Sequence, residues 1–121
     1  MEKAGVDVIS SYAHVIQAEA RKHDVPPRYM ERIMYLESRG KWWAKGPAGE
    51  VGLFQILPSV AKTRCPLEAS DLWTARKNIA CAARILKWQY KRCGNWPAAI
   101  SAYNGSRFSC AVTRYWQKVD Q

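Results

Sequence analysis

The stretch of sequence that decides the fold runs from residue 34 to residue 58 and reads MYLESRGKWWAKGPAGEVGLFQILP. It begins inside an apolar pattern of helical spacing, in which Met30 and Met34 are one turn apart. The i+7 position of that pattern, where another core residue is expected, is Glu37. The following part is rich in glycine and has no helical period, so we predict a structured loop over residues 41–57. The sequence thus places a carboxylate on the core-facing side of a helix end.

Two features of this predicted position raise the pKa of Glu37. Burial disfavours a charged carboxylate, and so does the negative end of the helix dipole. A carboxylic acid that is still protonated near neutral pH is suited to general acid catalysis. The alternatives are a side chain that extends past the core edge to water, or one that pairs with Arg32 or Arg39.

The rest of the chain has the pattern of a mainly α-helical protein, since no stretch shows a clean strand alternation. Ile9 begins the apolar stripe of the first helix, Asn95 is placed to cap the fifth, and Ser109 is placed to cap the last, with Val112 on its apolar side. The predicted helices span about residues 7–22, 27–39, 58–65, 74–92, 96–103 and 110–119.

Length and composition indicate one globular domain over residues 1–121. Apolar residues make up 48% of the chain and aromatic residues 12%. No apolar run reaches the roughly 18 residues of a membrane span, and we identify no signal peptide. The net charge of +9 suits an anionic partner such as nucleic acid, a membrane surface or an acidic wall polymer, or serves solubility alone. The cations form no run of five or more, which weighs against a nucleic-acid-binding tail.

Four cysteines, Cys65, Cys81, Cys93 and Cys110, make an even count in a short chain. None are spaced as C-x-x-C and the chain has only two histidines, so we expect no metal site. Two disulfides place the protein outside the cytoplasm, whereas four buried thiols would place it inside. Three pairings are open. We favour Cys65–Cys81 with Cys93–Cys110, each closing a loop of roughly 15 residues.

Three short motifs, in order, resemble one known family. They are Glu37-Ser38, then GLFQ at residues 52–55, then AYNG at residues 102–105. This arrangement is similar to the lytic transglycosylase domain of the soluble, goose-lysozyme-like class, whose pattern is E-S, a loop ending in G-L-M-Q, and a later A-Y-N. Asn78-Ile79 and Thr113-Arg114-Tyr115 resemble flanking features of the family. The resemblance covers about residues 10–119 and implies a lysozyme-like helical fold with a long active-site loop.

The resemblance also implies an activity, namely cleavage of the β-1,4 bond between N-acetylmuramic acid and N-acetylglucosamine in peptidoglycan. Glu37 would be the single general acid and base, and the product would be a 1,6-anhydro sugar. Tyr103 would hydrogen-bond Glu37, Ser38 would support the site, and Gln55 and Asn104 would contact the sugar. Gly52, Leu53 and Phe54 would complete the substrate-binding set. No cofactor is implied.

Two positions depart from the family pattern. Phe54 stands where methionine is usual, which keeps an apolar floor of a different shape, and Ser106 stands where a second small residue, often glycine, is common. Neither change removes a chemical group, but both could alter how the sugar fits.

Three other functions remain open, of which nucleic-acid binding fits the charge but shows no recognised motif. A glycoside hydrolase needs a second carboxylate near the acid, and Glu50 is the acidic residue that could reach it. A catalytically silent glycan-binding module could use Trp42, Trp43 and Trp96 to stack on sugars. Intact Glu37 favours an enzyme over a binding module.

For partners, the sequence favours peptidoglycan glycan strands and a monomer that does not bind nucleic acid. We expect the protein in the periplasm or outside the cell. A secretion machine, a conjugation machine, a phage particle and wall turnover are all settings compatible with the sequence.

Overall fold

The structure is a computed structural model that describes residues 2–105 and 108–121, with side chains described from Ser11 onward. Within these ranges the backbone forms six α-helices and one short 3₁₀ helix, and extended pairing is limited to isolated bridges. The chain is therefore mainly α-helical, as predicted. The helices are α1 (Glu2–Lys22), α2 (Pro27–Ser38), α3 (Pro58–Arg64), the 3₁₀ helix (Ala69–Trp73), α4 (Ala75–Cys93), α5 (Trp96–Asn104) and α6 (Arg114–Asp120).

The ends of the central helices follow from local chemistry. Pro27 occupies the first turn of α2, where a missing N–H costs nothing. Gly94 ends α4 in the left-handed region at φ 85°, and its N–H donates to the Tyr90 carbonyl. Asn95 caps α5 as predicted, because its side chain accepts the Ala98 N–H at 2.9 Å.

The two terminal helices differ from the prediction. Helix α1 begins at Glu2 rather than near residue 7, because no proline precedes that point and each further residue adds a backbone hydrogen bond. The side chain of Ile9, which defined the predicted stripe, lies outside the described part, as does all of Ser106.

The prediction that Ser109 caps the last helix is wrong. Helix α6 starts at Arg114, and Thr113 is its cap, accepting the N–H of Tyr115 at 3.3 Å. Ser109 accepts the Ala111 N–H at 3.2 Å, but this turn does not continue into a helix. The segment before α6 is instead held against α5, since the Thr113 N–H donates to the buried Ser101 hydroxyl at 2.9 Å. Val112 is consequently exposed rather than part of an apolar face.

Helix α4 lies at the centre of the packing and contacts α1, α3, α5 and the 3₁₀ helix, while α2 packs against α1 and α6. The buried side chains form a core to which α1, α2, α3, α4, α5, α6 and the loop between α2 and α3 all contribute. In the described part of the chain, no helix has the length and apolar character needed to cross a membrane. This packing brings the C-terminal ends of α2 and α5 to the same side of α4.

The structure contains two disulfides, Cys65–Cys81 and Cys93–Cys110, which is the pairing that the sequence favoured. The first joins the end of α3 to the middle of α4. The second joins the last residue of α4 to the segment that leads into α6. Each closes a short loop, which is worth about 3 kcal/mol of stability in the chain-entropy model.

We expect reduction to raise the mass of the denatured protein by about four hydrogens, two for each disulfide. Native, unreduced protein should take up no alkylating reagent. Four alkylated thiols without reduction would contradict both the pairing and the expectation of an oxidising compartment.

Candidate active site

An open cleft of about 110 Å³ lies where the ends of α2 and α5 meet the loop over residues 41–57. Helices α3 and α4 form its apolar wall. The cleft contains two carboxylates, three amide side chains and one tyrosine. Its lining consists of Glu37, Glu50, Gln55, Ile56, Leu57, Val60, Ile85, Gln89, Tyr103, Asn104 and Gly105.

Glu37 lies in the last turn of α2 with its carboxylate half-buried in the cleft. Burial is the main cause that raises the pKa of Glu37, and the negative charge of Glu50 raises it further. Hydrogen bonds from Tyr115 and Asn104 lower the pKa but do not cancel the effect of burial. The pKa of Glu37 is therefore shifted in the direction that favours its protonated form.

The predicted hydrogen bond between Tyr103 and Glu37 is wrong, because a different tyrosine makes that contact. The Tyr115 hydroxyl donates to Glu37 Oε2 at 2.5 Å, whereas the Tyr103 hydroxyl donates to the Phe54 carbonyl at 2.7 Å. Helix α5 faces the loop, so Tyr103 meets a loop carbonyl, while α6 packs against α2 and brings Tyr115 to the carboxylate.

Both tyrosines stay protonated donors. Burial, followed by the charge of Glu37, raises the pKa of Tyr115 and of Tyr103 above the ordinary value for tyrosine. Tyr115 was overlooked in the sequence because its spacing matched an apolar stripe. The one available signal was its place in the Thr113-Arg114-Tyr115 motif.

The loop motif at residues 52–55 lies beneath the cleft and supports its floor. Leu53 and Phe54 are completely buried, so their side chains do not line the cleft, and their place in the substrate-binding set stays a prediction. Gly52 is also enclosed, at φ 79°, and a Cβ there would lie 2.4 Å from Asn78 Nδ2. These three residues shape the loop because they pack into the core beneath it.

Asn78, fully buried on α4, holds this loop in place. Its Oδ1 accepts the Phe54 N–H at 2.9 Å, and its Nδ2 donates to the carbonyls of Val51 and Leu72, each at 2.9 Å. One amide thus bonds three buried backbone groups, one of which, the Val51 carbonyl, also accepts the Ile56 N–H at 3.1 Å. The sequence marked Asn78 through the family resemblance but gave no indication of this role.

Gln55 lines the cleft and also anchors the loop. Its backbone has a positive φ of 49°, and its Nε2 donates to the carbonyls of Ala44 (3.2 Å) and Gly52 (2.9 Å). Ser38 supports the other side of the site, since its buried hydroxyl donates to the Met34 carbonyl and accepts the Gly40 N–H. Ser38 thereby fixes the helix end that carries Glu37.

Glu50 shares the cleft with Glu37 because of a neighbouring glycine. Its Oε1 accepts the Ala48 N–H at 3.0 Å. A Cβ at Gly46 would overlap this carboxylate and would lie 2.7 Å from Gln55 Oε1. Gly46 therefore provides the space in which Glu50 turns toward the cleft. Within the described residues, no three histidine, cysteine or acidic side chains come together as a metal site.

A helical domain with a half-buried glutamic acid at a helix end, facing a cleft beside a structured loop, has the features of a lysozyme-like fold. The family model for the transglycosylase SLT domain matches residues 14–117. The chain belongs to this family.

Two relatives can be compared with it. A protein of Enterobacteria phage PRD1 named transglycosylase is 28% identical over 90 residues, which are 74% of this chain and 33% of that protein. The chain thus spans about a third of the length of this curated relative. An inactive mutant of the lytic transglycosylase Slt from Pseudomonas aeruginosa has a similar fold, with a TM-score of 0.72 and 20% identity over 88% of this chain and 20% of that chain.

We expect Tyr115→Phe to lower the activity of the protein by roughly 10- to 100-fold, because Glu37 loses the group that orients it. In the wild type the hydrogen bond from Tyr115 lowers the pKa of Glu37. The variant lacks this bond, so its Glu37 pKa should be higher and its activity should fall at a higher pH on the alkaline side. A pH–rate profile measures both effects. Tyr103→Phe is the matched control, since it removes a bond to the loop, and an equal alkaline shift there would contradict the assignment.

Proposed function

We propose that the chain is a peptidoglycan lytic transglycosylase that cleaves the bond between N-acetylmuramic acid and N-acetylglucosamine and leaves a 1,6-anhydro end. The observation that carries this proposal is the half-buried Glu37 carboxyl group in the cleft, with its raised pKa and its Tyr115 partner. Membership of the family supports the same activity.

In the first step Glu37 acts as the acid. Its carboxyl group, whose pKa is raised by burial, donates its proton to the glycosidic oxygen while the bond from that oxygen to muramic C1 breaks. The electron pair of the broken bond stays with the oxygen, which becomes the hydroxyl of the leaving sugar. Tyr115 donates a hydrogen bond that stabilises the resulting carboxylate and holds it in place.

In the second step the same carboxylate acts as the base. It takes the proton from the muramic C6 hydroxyl as that oxygen bonds to C1 and closes the anhydro ring. Glu37 ends the cycle protonated, and no water is consumed. One carboxyl group is therefore sufficient for the whole reaction.

Other cleft residues position the sugar in this proposal. Gln55 and Asn104 line the cleft and would contact the sugar and its N-acetyl group. The amide nitrogen of Gln55 holds the loop, so its contact with the sugar would use the amide oxygen. Ser38 would act indirectly, through the helix end that it braces.

Hydrolysis is the second candidate, and Glu50 favours it. This carboxylate lies in the same cleft as Glu37, and it could activate water or form a covalent intermediate. We prefer the single-acid route because family membership supports it and because Glu50 is already bonded to the Ala48 N–H.

Incubation with purified cell-wall sacculi tests the proposal. We expect loss of turbidity and release of soluble fragments whose muramic ends are one water lighter than hydrolytic products. Fragments with reducing ends would indicate a hydrolase, and retention on sacculi without any fragments would indicate a glycan-binding module.

We propose that the protein acts outside the cytoplasm, in the periplasm or beyond the cell. The two disulfides support this, as they persist in oxidising compartments. The phage relative supports a phage particle as one setting, and secretion or conjugation machines remain settings of the same kind.

A further inference from the structure

A basic face lies on the outer side of α4, away from the carboxylates of the cleft. Arg84, Lys87, Trp88 and Lys91 follow at i, i+3, i+4 and i+7, so they form one stripe along the helix. A shallow depression on this stripe is completed by residues from α3 and from the end of α1, and no acidic residue lines it. The depression consists of His23, Arg64, Arg84, Lys87, Trp88 and Lys91. We call it the basic face.

The acidic residues around the basic face do not balance its charge. Asp24 pairs with Lys87 at 3.5 Å but is itself strongly exposed, and Glu19 acts on His23. The pKa of His23 is nevertheless lowered, by burial and by the positive charges of Arg84 and other nearby cations. The region therefore keeps a positive potential suited to an anion.

Part of the basic face is pre-organised. The Arg64 guanidinium lies 4.0 Å from the centre of the Trp88 ring, and Arg84 Nε donates to the Arg64 carbonyl at 3.2 Å. A stacked guanidinium uses its flat side for the ring and keeps its N–H edge for an in-plane acceptor such as a carboxylate. Such an arrangement lowers the entropy cost of binding an anion.

The basic face is continuous with the cleft. Val60 lines the cleft and also a second depression, which includes Thr63, Phe108, Arg64 and Trp88. Arg64 and Trp88 then line the basic face as well. A polymer that leaves the cleft past Val60 would thus reach the cations without crossing other parts of the surface.

We propose that the basic face binds the carboxylate-bearing peptide stems of the peptidoglycan strand that occupies the cleft. This inference rests on the proposed function, because it takes the cleft ligand to be peptidoglycan. The carboxylates of the stems complement the Arg and Lys side chains, and the continuity through Val60 places both on one polymer. Nucleic acid fits less well, because Arg64 covers the Trp88 ring that would stack on a base.

The test compares glycan strands that carry stems with strands from which an amidase has removed them. Binding is measured with the Glu37→Gln protein, so that neither ligand is cleaved. We expect this parent to bind stem-bearing strands roughly tenfold more tightly than stem-free strands, or better. Each exposed ion pair contributes up to about fivefold in affinity. In the parent carrying Arg84→Gln, Lys87→Gln and Lys91→Gln, the ratio of the two affinities should fall towards one.

A matched triple variant keeps the net charge equal while leaving the basic face intact. Lys41→Gln, Lys62→Gln and Arg76→Gln remove three exposed cations elsewhere and should preserve the parent's affinity ratio. Raised salt should reduce the preference for stem-bearing strands, because it screens exposed charges. Melting temperatures of both triple variants verify that the fold is kept.

Three results would overturn the inference. The first is equal affinity of the parent for the two kinds of strand. The second is an unchanged affinity ratio in the Arg84, Lys87 and Lys91 variant. The third is displacement of stem-bearing strands by duplex DNA at a lower concentration than free stems require. Failure of the proposed function is separate. Folded wild-type protein that binds strands but cleaves neither kind would refute the catalytic proposal, while the affinity ratio would still decide the role of the basic face.

Discussion

Glu37→Gln is expected to lower the rate of peptidoglycan cleavage by at least about 10²- to 10⁴-fold, the usual cost of losing a general acid–base group. Glutamine keeps the shape of the side chain and can still accept the Tyr115 hydroxyl, so the fold should be retained. Circular dichroism and turbidity assays on sacculi measure the two halves of this prediction. A variant that retains wild-type activity would remove Glu37 from the mechanism.

The same variant should be more stable than the wild type at neutral and alkaline pH. The pKa of Glu37 is raised in the folded protein, so its contribution to stability is fully present below the ordinary glutamate pKa and is lost as pH rises through the raised value. Glutamine carries no charge to bury. The melting temperature of the variant should therefore exceed that of the wild type near about pH 8, and this gain should shrink near about pH 4.

Glu50→Gln is the control for the acid. In the single-acid mechanism it should retain much of the activity and still give anhydro ends. Removing the charge of Glu50 also removes one cause of the raised pKa of Glu37, so the alkaline limit of activity should move to lower pH. Loss of activity as complete as in Glu37→Gln would instead support a hydrolase with two carboxylates.

Asn78→Ala is expected to destabilise the fold by about 3 kcal/mol or more. The change removes the bond from Asn78 to three buried backbone groups and leaves two of them, the Phe54 N–H and the Leu72 carbonyl, without that partner, while the Val51 carbonyl keeps the Ile56 N–H. Denaturant unfolding measures the loss. Activity should fall as well, because the loop that carries Gln55 is no longer held.

The matched control is the next residue towards the N terminus of α4. Lys77 is half exposed and pairs with Asp71 at 3.0 Å, so Lys77→Ala should cost no more than about 1 kcal/mol. If the two alanine variants unfold at the same denaturant concentration, Asn78 does not hold the loop.

Much of the fold could be predicted because its determinants are local. Proline and glycine mark the start of α2 and the end of α4, and Asn95 makes the cap that its position suggests. The start of α6 could not be predicted in this way, since the tie from Thr113 to Ser101 connects residues from separate elements. Ser109 had suitable chemistry for a cap but lacked the following helix.

The site was predictable only in part for the same reason. Glu37 stands out as a charged residue in an apolar pattern, which is visible in a single helix. The partner of Glu37 depends on how α6 packs against α2, and no local pattern distinguishes Tyr115 from Tyr103 in that respect. The buried position of Leu53 and Phe54 in the loop likewise depends on a separate element, because Asn78 on α4 accepts the Phe54 N–H.

The central claim is that Glu37 alone closes an anhydro ring without using water. Digestion of sacculi in water enriched in heavy oxygen, followed by mass spectrometry of the fragments, tests it most directly. Our account predicts muramic ends that are one water lighter than reducing ends and contain no heavy oxygen. Reducing muramic ends that carry heavy oxygen from the solvent would contradict it.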